Sequence, residues 1–308
     1  MGAAFAGPHT LARSGAAWLP LRSPPPFTPL RRGSGGSILR AIVIPYFELP
    51  SLQLGPFTLQ AFGVFAALGV YLAARIALRE SARRGLDPQP LSDFAVWGVA
   101  AGVVFGHLVH LFLYHPEELS DWRRALAFWE GLSSFGGLLG GVVAAVVFFR
   151  RRRVRFDDYA DAFALGVAPG WGIARLGCFV IHDHPGVRTT FPLAVRFPES
   201  AARTLGFYGT RHDLGLDDAL ALFAFAAVLF ALDRRGILRG RLLALLALLY
   251  GTTRFFFDFL RASDVPYADA RYLGLTPAQY FCFGLWAYAV WKLATLRPAA
   301  VPVSERAA

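Results

Sequence analysis

The sequence predicts an all-α, polytopic membrane protein with about seven transmembrane helices, its amino terminus outside and its carboxyl terminus inside. Three observations carry that prediction. The 308 residues are 55% hydrophobic and only 17% charged, with a mean hydropathy of +0.44, which is too apolar for a soluble domain of this length. A membrane helix needs about 20 apolar residues, and seven apolar stretches, most of them near that length, recur along the chain. Arginine collects in short blocks after alternate stretches, as it does in cytoplasmic loops.

Taken in order, residues 1–42 are rich in Pro, Arg, Ser and Gly and lack the apolar core of a secretory signal. They read as a disordered extension, or as a start assigned upstream of the true one, since Met1 is the sole methionine. Residues 43–298 form one membrane domain, and 299–308 a cytoplasmic tail. The predicted spans are 57–78, 94–114, 131–149, 159–181, 218–232, 242–260 and 278–295, the fifth being short and starting near Leu214. Gly136, Gly137, Gly140 and Gly141 suit close helix contact in a bilayer, where small residues let backbones approach.

Orientation follows from the arginines. Arg75, Arg79, Arg83 and Arg84 follow the first span, Arg150 to Arg153 and Arg155 the third, and Arg234, Arg235, Arg239 and Arg241 the fifth. The connection 116–130 offsets Arg123 and Arg124 with Glu117, Glu118, Asp121 and Glu130, which places it outside. The segment 182–217 is the sizeable exterior one, so chemistry is expected near that face. A net charge of +10 spread in this way is a topology signal and argues against nucleic acid as a partner. Cys178 and Cys282 lie in separate apolar stretches and make neither a metal-binding pair nor a disulfide framework.

Arg175 stands inside an apolar run, where an ionisable group costs several kcal/mol unless it is paired or lines a watery cavity. Arg254 stands in the sixth span with Asp258 four residues on and Arg261 beyond, a spacing that also suits a helix-end ion-pair ladder. Two guanidinium forks converging at headgroup depth would hold a phosphate bidentately. Gln279, Thr252 and Thr253 would add neutral hydrogen bonds. His182, Asp183 and His184 follow Cys178 closely, and His212-Asp213 begins the re-entry toward the fifth span near Asp217 and Asp218, a group that could bind a metal. His-x-His with no third ligand at a recognisable spacing does not define a metal site, and neither a metal nor another cofactor is expected. His107 and His110, three apart on the second span, suit packing between helices or a proton relay. Cys178 reads as a small apolar filler more readily than as a nucleophile.

With these residues in view, the chain resembles the prolipoprotein diacylglyceryl transferase family. The resemblance covers roughly residues 47–296 and rests on Leu54-Gly55-Pro56-Phe57, Phe135-Gly136-Gly137-Leu138, Arg175-Leu-Gly177-Cys178-Phe179 through Gly186, Tyr250-Gly251-x-x-Arg254 through Asp258 and Arg261, and Leu275-Thr276-x-x-Gln279. It implies a multi-pass enzyme of the bacterial inner membrane, with its site near the exterior face. The implied reaction moves a diacylglyceryl group from phosphatidylglycerol to the lipobox cysteine of a prolipoprotein signal peptide, forming a thioether and releasing glycerol phosphate. It also implies that Arg175, Gly186 and Arg254 are required, with Gly136, Gly137, Asp258, Arg261 and Gln279 around the lipid. Phe62 stands where the family usually has Tyr, Phe135 where it has His, Cys178 where it has Asn, and Asp217-Asp218 where it has Tyr-Glu. Neither Phe62 nor Phe135 can move a proton, so the base is expected among His182, His184, His212 and His110, with His182 or His184 favoured. Two competing readings are a diverged transferase with another acceptor and a non-catalytic phospholipid-binding or transport protein.

Overall fold

The computed structural model describes residues 43–49, 52–54, 57–114, 119–126, 134–265, 268–269 and 271–295. The expected amino-terminal extension and carboxyl-terminal tail lie outside them. The chain runs β1 (Ile44–Pro45), β2 (Leu52–Leu54), β3 (Phe57–Leu59), α1 (Ala61–Arg83), α2 (Gln89–Val109), α3 (Trp122–Ala125), α4 (Ser134–Arg152) and α5 (Phe156–Ile181). It continues with β4 (Pro185–Arg188), β5 (Val195–Phe197), α6 (Ala202–Leu205), β6 (Gly209–Asp213), α7 (Leu214–Arg234), α8 (Leu242–Phe257) and α9 (Pro277–Thr295). The protein is thus a mostly helical, polytopic membrane protein. Five helices, α1, α2, α5, α7 and α8 with their flanking turns, are long and apolar enough to cross a membrane, and α4 and α9 are 19 residues each.

The first span starts later than hydropathy alone suggests, because Phe57–Leu59 pairs with Leu52–Leu54 as a hairpin before α1 begins at Ala61. The fifth starts at Leu214 as expected: Asp213 accepts from the N–H of Gly215 at 3.0 Å and of Leu216 at 3.4 Å, a side-chain cap that fixes the helix start.

Small residues set the helix packing. A Cβ on Gly170 would fall 2.4 Å from the Gly69 carbonyl oxygen and one on Gly166 2.3 Å from that of Ala73, so α1 and α5 meet backbone to backbone. With no hydrophobic drive between helices in lipid, such close contact is what makes them associate. The same device joins α2 to α4. A Cβ on Gly136 would lie 2.5 Å from the Phe105 oxygen, and one on Gly137 3.5 Å from that of Gly102. Gly136 and Gly137, expected in the lipid site, therefore serve this helix seam.

The arginine blocks do more than set topology. Asp161, buried on α5, accepts from the Gly240 N–H, from the Leu242 N–H at 2.9 Å and from Arg84 Nη1 at 3.3 Å, so it caps α8 from another helix. Asp233 on α7 pairs with Arg83 and, at 2.5 Å, with Arg84. Lys292 on α9 reaches Asp157 on α5 at 2.6 Å. Asp161→Ala should cost about 3–5 kcal/mol, the cost of removing one partner of a buried pair. A melting curve in detergent tests this, and an unchanged Tm would dismiss the clamp.

At the opposite end, three strands from the segment between α5 and α7 join β1 from before α1 in a four-stranded sheet of order β1-β5-β6-β4, which an all-helical reading did not anticipate. β1 runs parallel to β5, while β5–β6 and β6–β4 are antiparallel. Val195, Phe197, Ala201, Phe207, Ala262 and Val265 form its own small core. Tied to the ends of α5, α7 and α8, this layer brings distant polar residues together.

Candidate functional site

The site is built where α5, α7 and α8 reach the β-layer. Arg175 is 6% exposed and Arg254 3%, both on apolar helices, and one carboxylate joins them: Asp218 of α7 accepts from Arg175 Nη2 at 2.6 Å and from Arg254 Nη1 at 3.3 Å. Arg254 Nη2 also pairs with Asp258 at 2.8 Å, as the spacing of four predicts. The convergence of the two arginines is therefore real. Sequence reasoning set Asp218 beside the histidines and did not pair it with the arginines, although an acidic group opening an apolar span already demands a cationic partner.

Arg175 Nη1 points the other way, to Cys178 Sγ at 3.3 Å and to His184 Nε2 at 3.4 Å. Because the guanidinium can only donate, Nε2 is the acceptor and Nδ1 carries the proton that His184 gives to Asp183. Burial, first, and then Arg175 hold the His184 imidazole down at about 4, against the opposing pull of Asp183. It is neutral at pH 7. Because the unfolded chain takes that proton first, this residue lowers stability progressively as pH falls from about 6.5 to about 4. Cys178, Asp183 and His184 bring potential ligand atoms within 4.8 Å of one another. Arg175 Nη1 already lies against two of those groups, and a cation there would face its charge, so the cluster fits a guanidinium cradle better than a metal centre.

His182 ends α5 in a left-handed conformation with φ 52°. Its Nδ1 meets Asp213 at 2.7 Å and its Nε2 the Phe47 carbonyl oxygen at 3.1 Å, while Tyr46, Phe47, Phe179 and Phe197 enclose the ring. Both ring nitrogens are therefore engaged within the protein. Burial pushes the Asp213 carboxyl above its ordinary range despite the His182 contact. This pair ties the end of α5 to the start of α7, and the expected base at His182 has both ring nitrogens in these contacts.

His212, next along β6, is arranged differently. Its Nδ1 meets Asp217 at 3.1 Å, Phe191 lies beside the ring at 5.4 Å, and Nε2 has no hydrogen bond among the described residues. The side chain is 13% exposed. Gly186 sits against it: a Cβ at Gly186 would fall 2.6 Å from His212 Cβ and 3.0 Å from the Leu260 carbonyl oxygen. Gly186 also bridges to Arg261, whose Nε pairs with Asp269 and whose Nη1 is buried without a hydrogen-bond partner among the described residues. Arg175 Nε is orphaned in the same way.

Gln279 is engaged within the protein. Its Oε1 accepts from the Thr276 N–H at 2.9 Å, Thr276 Oγ1 accepts from the Gln279 N–H at 3.3 Å, and its Nε2 donates to the Phe255 oxygen at 3.0 Å. Thr276-x-x-Gln279 is a capping box for α9. Thr276 Oγ1 also donates to Asp258, so this box holds the acid that pairs with Arg254. Thr252 and Thr253 are likewise spent, on the oxygens of Leu248 at 2.8 Å and Leu249 at 3.1 Å. Phe62 packs near Gly177, where a Cβ would lie 3.3 Å from its ring. The side chain of Phe135 lies outside the described residues. His107 and His110 are buried and stacked, ring centroids 6.4 Å apart, at the end of α2, where the helix widens to a π-helical turn over His110–Tyr114.

A family model described as prolipoprotein diacylglyceryl transferase matches residues 50–295. The chain is 30% identical over 223 residues to the phosphatidylglycerol–prolipoprotein diacylglyceryl transferase of Halalkalibacterium halodurans, covering 71% of this chain and 77% of that protein. It is 33% identical over 219 residues to transferase 1 of that name from Streptomyces coelicolor, 69% of this chain and 63% of that protein. With the protein of the same name from Chromohalobacter salexigens the identity is 30% over 225 residues, covering 72% and 82%. The match spans both arginines, the Gly186 strand and the capping box, and the chain belongs to the prolipoprotein diacylglyceryl transferase family.

Proposed function

We propose that this protein transfers a diacylglyceryl group from phosphatidylglycerol to the lipobox cysteine of a prolipoprotein signal peptide. The observation that carries this reading is that two of the three buried guanidinium N–H groups without partners among the described residues, Arg175 Nε and Arg261 Nη1, belong to this site, where His212 Nε2 likewise has no hydrogen bond among those residues; the third, Arg84 Nε, lies at the opposite end. An orphaned buried donor costs about 1–3 kcal/mol, so such groups suit a ligand that accepts from them. Asp218 and Asp258 pre-orient Arg175 and Arg254 and temper their charge, which keeps the site folded before lipid enters. The lipid's phosphate then takes the leftover donors.

His212, oriented by Asp217, is the base in this reading, and His184 holds Arg175 in place. The acceptor thiol gives its proton to His212 Nε2, and the thiolate attacks the glyceryl carbon that carries the phosphate ester. The carbon–sulfur bond forms as the carbon–oxygen bond breaks. Its electron pair leaves on glycerol phosphate, whose growing charge Arg175 and Arg261 stabilise. In this reading the arginine-rich helix ends face the cytoplasm and the β-layer, with the site, faces the exterior of the bacterial inner membrane, which the clustering of positive charge on one side supports.

Incubation with phosphatidylglycerol and a lipobox peptide should add one diacylglyceryl group to the peptide cysteine, read by mass spectrometry. Lipid binding without a covalent product would favour a non-catalytic lipid-binding protein, and transfer to a different acceptor a diverged transferase. His212→Gln should lower the transfer rate 10²–10⁴-fold, the usual worth of a positioned base. A parental rate would reassign the base.

A further inference from the structure

Arg211 is 1% exposed and is the largest fully buried side chain among the described residues, yet the transfer reaction gives it no task. Its guanidinium joins three segments. Nη1 and Nη2 grip Asp264 beyond α8 at 2.8 and 2.5 Å, Nη1 also donates to the Gly186 carbonyl oxygen at 3.2 Å, and Nε donates to the Tyr208 oxygen at 3.1 Å. Phe207 lies under the guanidinium at 5.4 Å.

The Gly186 contact falls at a defect in the sheet. Pro185 pairs with Asp213 and Arg188 with Arg211, so two residues of β4, Gly186 and Val187, oppose the single residue His212 of β6. This is a β-bulge, which leaves a residue out of the ladder and re-aims its neighbours. Arg211 takes up the Gly186 oxygen there. On its other side Gly186 meets the chain leaving α8, where the Ala262 N–H donates to the Pro185 oxygen at 3.1 Å and Gly186 bridges to Arg261.

We infer that Arg211, locked by Asp264, is a positioning residue that holds the Gly186 bulge and so sets the spacing between His212 and Arg261. The inference rests on the transfer reading, which uses those two groups on opposite sides of Gly186. A bidentate arginine–carboxylate pair fixes direction as well as distance, and a misplacement of about 1 Å costs about 10²-fold in rate. Asp264 is about half exposed and accepts the fork from outside, where Arg211 first, and then nearby Arg188, hold its carboxyl below the ordinary range.

The test compares Arg211→Lys, Asp264→Asn and Asp264→Glu with the parent, all full length and in lipid nanodiscs. Three quantities are read: kcat and KM for phosphatidylglycerol in the peptide assay, hydrogen exchange of residues 185–188, and the rate at which diethyl pyrocarbonate modifies His212. Asp264→Asn should lower kcat at least tenfold with KM within twofold, speed exchange across the bulge at least tenfold and change His212 reactivity. Asp264→Glu, which keeps the carboxylate, should restore kcat to within threefold of the parent.

Parental kcat in Asp264→Asn would overturn the inference, as would lost activity with unchanged exchange and unchanged His212 reactivity. Should Arg211→Lys fail to insert, Asp264→Asn still decides, because its side chain is half exposed. Should the parent itself transfer nothing, the function reading fails on its own. Exchange and His212 reactivity then decide whether the clamp exists.

Discussion

Arg175→Ala should reduce diacylglyceryl transfer at least a thousandfold while the protein still inserts and folds. The guanidinium contacts Asp218, His184, Cys178 and the Leu214 carbonyl oxygen, and its Nε remains for a ligand. Alanine removes that donor and releases His184. A thousandfold corresponds to about 4 kcal/mol of transition-state stabilisation at about 1.36 kcal/mol per decade, within reach of an oriented cation at a developing phosphate charge. Folding should survive because Arg254 Nη1 still neutralises Asp218. Arg175→Lys separates charge from geometry, since it keeps the cation and loses the planar fork, and a loss of about a hundredfold is expected. The measurement is peptide mass after reaction with phosphatidylglycerol, and parental rates in either variant would end the phosphate role of Arg175.

Gly186→Ala should lower transfer about a hundredfold or more with Tm shifted by only a few degrees. The added methyl would lie 2.6 Å from His212 Cβ, an atom fixed to the backbone, and 3.0 Å from the Leu260 oxygen, so relief requires β4 to move away from β6 or from the end of α8. Overpacking of this kind costs about 1–3 kcal/mol, little enough for a folded protein. The geometric result is worse than the energetic one, because His212 and Arg261 separate. Normal kcat in a folded Gly186→Ala variant would show that the bulge does not govern the reaction.

The two variants also separate what was legible in the chain from what was not. Arg175, Arg254 and Asp258 announced themselves as charges in apolar runs, and each is buried and paired as that logic requires. For Gln279 a capping box and a ligand contact use the same residue type, and the capping bonds to Thr276 and the bond to Phe255 became visible only in the structure. The sequence favoured His182 or His184 over His212, and it had no sight of their ring-nitrogen partners. His182 and His212 both neighbour aspartates, and they differ in whether the second ring nitrogen is occupied.

By itself the sequence determined the membrane class, the helical architecture with its small-residue seams, and two intramembrane arginines that call for acidic partners. These follow from local quantities, namely the hydropathy of a run and the cost of a buried charge. The tertiary structure alone decided that Asp218 joins the two arginines, that Asp161 caps a helix about eighty residues away, and that a sheet between α5 and α7 seats Gly186 between His212 and Arg261. Those contacts join residues far apart along the chain, and strands of two to five residues are too short to show a hydrophobic period. Their partners are chosen by which helix ends meet, and packing sets that.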